Sequence, residues 1–302
     1  MFIDSDGRLR PVWAFVLSAL LSCFAFVAVG YLAAALAGDH VLRFEAIFRP
    51  LLAIVLLGIF SWLLTVANHV EEHRVAAQGL PLSLGWAKQF GTGCIIGLLM
   101  VIVAVVPIAI WGSLSFRTTF SAYTIFRIAV VLFVLLSGAL AEELMFRGYP
   151  FQRLVEATGA PGAIVVFSVL FGLVHLLNPG ASAWGLLNTV AIGVLLSLAY
   201  LRTRTLWLPW GLHFAWNLAL GLILGLPVSG LRLFNMAVHA SVTGPKWLTG
   251  GSYGVEASAP CAVAILAGLL MLWRAPMQTL ALPEHASPTQ DDLRMNVSNS
   301  PK

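Results

Sequence analysis

Eight apolar runs, most of them close to the length of a bilayer crossing, constrain this chain more than any other feature of its sequence. They cover residues 12–37, 50–68, 91–112, 124–146, 160–177, 184–201, 207–226 and 257–274. A helix needs about 20 predominantly apolar residues to cross the hydrocarbon core. Lipid-exposed backbone must pair within its own helix or in a closed barrel, and no barrel-like alternation is present. The pattern therefore predicts an all-α, polytopic transmembrane helical bundle of about eight spans.

The composition excludes the soluble alternatives. The chain has 302 residues, of which 59% are hydrophobic and 10% are charged, whereas soluble domains average about 45–50% apolar and about 25% charged residues. The net charge of +4 does not indicate nucleic-acid binding, because the basic residues are scattered and form no basic face. Cys23, Cys94 and Cys261 lie in apolar runs without CxxC spacing, so we interpret them as packing residues.

Loop charges predict the orientation of the chain. Most of the 17 Lys and Arg residues fall on the side that holds both termini, which is typical of cytoplasmic loops. The first run follows Arg8 and Arg10 but is too long for a signal peptide, and no A-x-A site ends it. We therefore expect a retained first span and a multi-pass protein of the plasma (inner) membrane, with both termini cytoplasmic.

Four ionisable residues lie inside apolar helices, where a charge costs roughly 2.5–3.5 kcal/mol even on the most lenient scale. They are Glu142, Glu143, His175 and His213. An intramembrane ionisable residue is a functional-site hypothesis by default. Counting residues from the connecting turns places the three helices' groups at similar depth. We expect them to meet in one cavity in the cytoplasmic half of the membrane.

Helical spacing separates the two glutamates. Neighbouring residues point about 100° apart on a helix, so Glu142 and Glu143 cannot face the same spot. Glu143 and Arg147 are four residues apart with the acid first, the better order for an ion pair. This predicts that Glu143 and Arg147 form a structural pair, while Glu142 faces the cavity. Asn217 follows His213 by one turn and faces the same way.

A structural reading of each residue competes with the functional one. A lone histidine in an apolar helix is more often a packed, hydrogen-bonded residue, and a lone Glu–Arg pair is more often a structural ion pair. We interpret Gly172 and Gly211 structurally too, as positions that allow two helices to approach closely. Anomalies on three separate helices favour the functional reading of Glu142, His175 and His213 together.

Three sequence motifs resemble those of a known family. EELMFR (residues 142–147), FGLVH (171–175) and LWLPWGLHFAWN (206–217) contain EExxxR, FxxxH and HxxxN. These are similar, in order and spacing, to the motifs of the CAAX protease and bacteriocin-processing family (CPBP, or Abi) of intramembrane proteases. The resemblance covers about residues 120–226. Each motif alone is weak, but the three in order on apolar helices are specific.

The resemblance implies peptide-bond hydrolysis within the membrane and leaves two mechanisms open. In the first, Zn²⁺ is held by some of Glu142, His175 and His213, and Asn217 binds substrate or the oxyanion. In the second, no metal is bound; Glu142 and His175 activate a water, while His213 and Asn217 stabilise the oxyanion. The chain contains no HExxH, the helical signature of zinc proteases.

The substrate is expected to be a membrane-associated peptide or protein. Prenylated CAAX proteins, bacteriocin leader peptides and segments of membrane proteins are all compatible with the family. A proton- or ion-coupled transporter would also place Glu and His in mid-membrane, and a non-catalytic immunity or scaffold protein could retain the fold. Cleavage of a substrate would separate the peptidase from both.

The predicted organisation has four parts. They are N-terminal transmembrane helices (1–119), a CAAX protease-like core (120–226), an outer loop with the last transmembrane helix (227–275), and a disordered cytoplasmic tail (276–302).

Overall fold

The structure is a computed structural model that describes residues 2–3, 9–68, 78–82, 85–232 and 237–276. The tail predicted from residue 276 onwards lies, from Met277 to the end of the chain, outside the described residues.

The described chain is a helical bundle. Its helices, numbered in chain order, are α1 (Pro11–Ala37), α2 (Val41–Asn68), α3 (Trp86–Trp111), α4 (Thr124–Arg147), α5 (Tyr149–Val174), α6 (Ala183–Thr203), α7 (Trp207–Asn217), α8 (Lys246–Thr249) and α9 (Ala259–Arg274). Within the described residues, five helical segments are long and apolar enough to cross a membrane, and α9 is a shorter apolar helix. The prediction of an all-α helical bundle is confirmed.

Helix α2 begins earlier than the second apolar run predicted. It starts at Val41 instead of residue 50, and Pro50 lies inside it. The sequence places two charged residues, Glu45 and Arg49, before the apolar run, which suggested a loop or a span end. In the structure the two side chains pair with each other four residues apart within the helix, which reduces the cost of placing them there.

Glycines set the breaks around the fourth and fifth predicted spans. Helix α4 ends at Arg147 and is followed by Gly148, and Pro150 occupies the first turn of α5, where its missing N–H is not needed. Gly159, with φ +78°, kinks α5 at the predicted turn. The fifth predicted span is therefore the second half of α5, followed by a 3₁₀ turn at His175–Leu177.

The seventh predicted span divides into two helix types. Helix α7 ends at Asn217 and continues as a π-helix over Leu218–Ile223. A π-helical turn inside an α-helix is rare and frequently occurs at functional sites. The change of geometry begins directly after Asn217, the last residue of the HxxxN motif.

Close backbone contact joins α3 to α7. A Cβ atom built on Gly211 would lie 2.2 Å from the carbonyl oxygen of Phe90, and one on Gly93 would lie 2.2 Å from that of Leu208. The prediction that Gly211 allows close helix approach is thus confirmed. This contact fixes the helix that carries His213 and Asn217 against a long, apolar neighbour.

A two-stranded antiparallel sheet lies outside the all-α expectation. Strands β1 (Ser113–Thr118) and β2 (Val238–Thr243) pair with Ser113 opposite Thr243. The strands are separated by more than 100 residues of sequence, and each shows only a short polar–apolar alternation beside long apolar runs. Strand β2, α8 and a second 3₁₀ turn at Val255–Ala257 lie within residues 227–275, predicted as the outer loop and last helix, whereas β1 lies within residues 1–119, predicted as N-terminal helices.

Candidate active site

One cavity brings the four predicted site residues together. It has a volume of about 660 Å³ and is lined mainly by apolar side chains from α1, α2 and α4 and from the region after α7. Glu142, His175, His213 and Asn217 all line it. The depth argument from the sequence is consistent with this arrangement.

Glu142 projects from α4 into the cavity, with about a quarter of its side chain exposed. Its Oε2 lies 3.7 Å from Nε2 of His213, and its Oε1 lies 3.3 Å from Nη1 of Arg49. The carboxylate therefore has one oxygen turned towards an imidazole and the other towards a guanidinium. Both Glu142 and His213 line the cavity.

Glu143, the neighbouring carboxylate, is completely buried. The predicted contact with Arg147 is present, with Oε1 of Glu143 3.4 Å from Nη1 of Arg147. The same oxygen lies only 2.7 Å from Nδ1 of His213. The helical spacing predicted a partner for Arg147 alone, whereas the structure shows that Glu143 also contacts a predicted site residue.

Arg147 is equally buried and is held from three directions. Besides its contact with Glu143, its Nη2 donates to the carbonyl oxygen of Gly193 at 3.1 Å. Its guanidinium lies 4.4 Å from the ring centroid of Phe171, a cation–π distance. Arg147 thus connects α4 to α5 and α6 beneath the cavity.

His213 has a carboxylate at each ring nitrogen. Nδ1 is close to Glu143 and Nε2 faces Glu142, and the residue is 8% exposed. An Nδ1–H donated to the Glu143 carboxylate fixes the ring orientation, which leaves Nε2 for chemistry in the cavity.

His175 begins the 3₁₀ turn at the end of α5, where its Nδ1 lies 2.6 Å from the carbonyl oxygen of Phe171. A carbonyl can only accept, so Nδ1 carries the proton and donates it. Nε2 is then the nitrogen that remains for a ligand in the cavity. The FxxxH spacing produces this bond, because it places the carbonyl of Phe171 one turn before the imidazole.

Two ionisable residues on α2 also line the cavity, and sequence reasoning missed both. Arg49 lies with Nε 2.5 Å from Oε2 of Glu45, in addition to its contact with Glu142. Both residues precede the second predicted apolar run, residues 50–68. The signal that could have identified the pair is the i, i+4 spacing of Glu45 and Arg49 next to an apolar run.

Glu256 is a further cavity residue that the sequence placed in a loop. It is 5% exposed, and its carboxylate accepts hydrogen bonds from Nε1 of Trp216, at 3.1 Å, and from the backbone N–H of Ser229. Burial raises the pKa of the Glu256 carboxyl. Nothing in the local sequence distinguishes this glutamate from an exposed one.

The donor set does not match a zinc site. Catalytic zinc takes three protein ligands at about 2.0–2.2 Å and keeps one position open. Among the residues that the structure describes, no three His, Cys, Asp or Glu side chains are grouped to hold a metal ion. The guanidinium of Arg49, 3.3 Å from the carboxylate of Glu142, would also oppose a divalent cation there.

Part of the chain is similar to known proteins. Residues 124–219 match the family described as "Type II CAAX prenyl endopeptidase Rce1-like". A Bacillus subtilis (strain 168) protein named "Putative membrane peptidase YdiL" is 35% identical over 92 residues. That alignment covers 30% of this chain and 36% of the relative, so this chain spans only about a third of the relative's length. No solved structure matches.

The matched segment includes every residue of the three motifs. Helices α1 to α3, with Glu45 and Arg49, precede it, and Glu256 follows it. The family resemblance predicted from the motifs is confirmed for residues 124–219, the segment that carries Glu142, His175, His213 and Asn217.

Proposed function

We propose that this chain is an intramembrane endopeptidase of the CAAX prenyl protease type. The observation that carries the proposal is the meeting of Glu142, His175, His213 and Asn217 in one cavity among apolar helices. The match of residues 124–219 to a peptidase family supports it independently. A mainly apolar lining suits a membrane-associated peptide. The proposal includes cytoplasmic termini and a plasma-membrane location, as the loop charges predict.

In the proposed mechanism, a water between Glu142 and His175 attacks the carbonyl carbon of the scissile peptide bond. Glu142 takes a proton from this water as the oxygen–carbon bond forms. Nε2–H of a protonated His213 and the side-chain amide of Asn217 donate to the oxyanion. The C–N bond then breaks, and Glu142 returns the proton to the leaving amine nitrogen.

Glu143 and Arg147 support this mechanism without touching the substrate. Glu143 accepts from Nδ1 of His213, so the imidazole is held with Nε2 towards the reacting atoms. Arg147 compensates the buried charge of Glu143. The arrangement resembles the general logic by which a buried carboxylate orients a catalytic histidine.

The contact of Arg49 with Glu142 favours the version without a metal. A guanidinium satisfies one carboxylate oxygen and leaves the other to act on water. We therefore assign peptide hydrolysis to the protein side chains alone, with zinc dependence as the outcome that chelation would reveal.

The decisive experiment is cleavage by the purified full chain in proteoliposomes. We would use three quenched-fluorescence probes: a peptide ending in a farnesylated CAAX sequence, a bacteriocin leader peptide and an apolar membrane segment. Glu142→Gln keeps the shape of the side chain but removes the base, so cleavage should fall by roughly 10²- to 10⁴-fold. Arg153→Gln, which removes the α5 ion pair with Glu156 outside the cavity, serves as the control.

Each outcome has a clear meaning. Cleavage by wild type and the control but not by Glu142→Gln supports the peptidase. Equal cleavage by Glu142→Gln would refute the assignment of the base. An inactive wild type that moves protons or ions across the same vesicles would be a transporter, and one that does neither would fit the scaffold alternative.

A further inference from the structure

Arg49 reaches the proposed base from a helix that lies outside the family match. Its side chain is about a fifth exposed, and it joins Glu45 on its own helix to Glu142 on α4. Glu45 is buried, with apolar neighbours along the same wall of the cavity, among them Phe44 and Phe48. Ionic groups in such surroundings are kept only when each has a partner.

Helix α4 provides space for this arginine. A Cβ atom built on Gly138 would lie 2.6 Å from Cδ of Arg49 and 3.0 Å from its Nη1. Gly138 precedes Glu142 by one helical turn, so both residues lie on one face of α4. The arginine passes over the bare backbone at Gly138 and contacts the carboxylate one turn further along.

Arg49 contacts only one of the two carboxylate oxygens of Glu142. Oε1 is taken up by the guanidinium, and Oε2 is directed towards Nε2 of His213, 3.7 Å away. Without such a contact, the carboxylate of Glu142 could rotate about its last side-chain torsion, χ3, whose distribution is broad. The contact with Arg49 restricts that rotation and keeps one oxygen towards the water.

Glu45 keeps Arg49 paired when Glu142 is neutral. When Glu142 accepts a proton from water it loses its charge, and a guanidinium paired with Glu142 alone would be left unpaired in a poorly solvated site. Glu45, 2.5 Å from Nε, remains as the partner of Arg49 through the whole cycle. With His213 protonated, Glu45, Glu142 and Glu143 balance Arg49, Arg147 and the imidazolium.

We propose that Arg49 is a positioning residue for Glu142, and that Glu45 holds Arg49 in place while Glu142 gains and loses its proton. The proposal rests on the proposed peptidase function of the same cavity. It extends the site to α2, which carries none of the three motifs.

The test uses variants that remove the contact in two different ways. Glu45→Gln/Arg49→Gln removes both charges, so no buried carboxylate of α2 is left unpaired. Gly138→Ala keeps every charge but places a methyl group against Arg49, and Gly58→Ala on α2, where a Cβ would meet nothing within 4 Å, is its control. We expect kcat to fall about tenfold or more in Glu45→Gln/Arg49→Gln and in Gly138→Ala, while their KM changes less than about twofold. The kcat of Gly58→Ala should stay within about twofold of wild type. Arg49→Lys should recover part of the lost kcat.

A double-mutant cycle measured by thermal unfolding tests the contact between Arg49 and Glu142 without a cleavage assay. Arg49→Gln should lower Tm in the wild-type background at least about twice as much as in a Glu142→Gln background, because contacting residues are not additive. Equal losses in both backgrounds would overturn the proposal, whatever the activity. Wild-type kcat in folded Glu45→Gln/Arg49→Gln and Gly138→Ala, with Glu142→Gln inactive, would also overturn it and leave the peptidase standing. Cleavage by Glu142→Gln would refute the peptidase mechanism instead.

Discussion

Nδ1 of His213 lies 2.7 Å from Oε1 of Glu143, and the same oxygen lies 3.4 Å from Nη1 of Arg147. One buried carboxylate therefore serves a cation from its own helix and an imidazole from α7. This relationship changes the interpretation of the paired glutamates. Glu142 is the residue assigned to the reaction, and Glu143 is not only a structural partner, because it orients the imidazole opposite Glu142.

Glu143→Gln should therefore affect both stability and turnover. Breaking a buried pair on one side leaves an unpaired charge, here Arg147, and typically costs about 3–5 kcal/mol. The carboxamide can also present its NH₂ to Nδ1 of His213, which would keep the imidazole neutral and remove the charged donor to the oxyanion. We expect a lower Tm and, per folded molecule, a kcat reduced about tenfold or more.

The measurement combines differential scanning fluorimetry with turnover normalised to the monodisperse fraction. Arg147→Met is the matched variant, since it removes the cation but leaves the contact between Glu143 and His213. It should lose stability with a smaller loss of kcat. A Glu143→Gln variant with wild-type turnover would contradict an orienting role for Glu143.

Much of this architecture could be predicted from local sequence. Apolar runs predicted the helices, and i, i+4 spacing predicted the contact of Glu143 with Arg147. Similar depth predicted that Glu142, His175 and His213 line one cavity. These inferences succeed because they depend on helix geometry, which is the same in every helix.

The remainder depends on contacts between distant segments. Arg49 and Glu142 are 93 residues apart in sequence, and Glu256 meets Trp216 and Ser229 from another element. Spacing along the chain carries no information about such partners. The pairing of β1 with β2 also joins distant segments, and the alternation within each strand covers only 6 residues beside long apolar runs.

The buried carboxyl of Glu256 should make the free energy of unfolding depend on pH. Burial raises the pKa of its carboxyl above the ordinary value of 4.5. The neutral form is therefore favoured in the folded state, and stability from this group is lost as pH rises through the folded pKa. Glu256→Gln cannot ionise, but its NH₂ group cannot accept a hydrogen bond, so either Trp216 or Ser229 loses its acceptor. The variant should be less stable than wild type at about pH 4, and the difference should shrink as pH rises.

Thermal unfolding of wild type and Glu256→Gln from acid to neutral pH tests this. Subtracting one Tm curve from the other removes the contribution of the shared ionisable groups. A Tm deficit of the variant that stays constant or grows with pH would show that the carboxyl is not held in its neutral form by burial.

Metal removal tests the mechanism directly. The Arg49 guanidinium next to Glu142 disfavours a bound divalent cation. We expect protein purified in the presence of 1,10-phenanthroline, and shown by elemental analysis to be free of zinc, to keep cleavage within about twofold of untreated protein. Lost cleavage that returns with added Zn²⁺ but not Mg²⁺ would instead establish the zinc mechanism, and Arg49 would then have to move away from Glu142 when the metal binds.

Two glycines on α3 offer a matched test of the close packing between α3 and α7. Gly91 and Gly93 are two residues apart, but a Cβ on Gly93 would lie 2.2 Å from the carbonyl oxygen of Leu208, whereas one on Gly91 would meet nothing within 4 Å. Alanine in a helix interior is favoured over glycine by roughly 0.5–1 kcal/mol. Gly91→Ala should therefore leave Tm unchanged or raise it. Gly93→Ala must push α7 away from α3 and should lower Tm.

The displacement should also reach the site, because α7 carries His213 and Asn217. Loss of Tm in Gly93→Ala should be accompanied by a lower kcat, since a displacement of about 1 Å at a reacting group can reduce the rate about 100-fold. If Gly93→Ala and Gly91→Ala behave alike in both measurements, the close packing of α3 on α7 is not what holds His213 opposite Glu142.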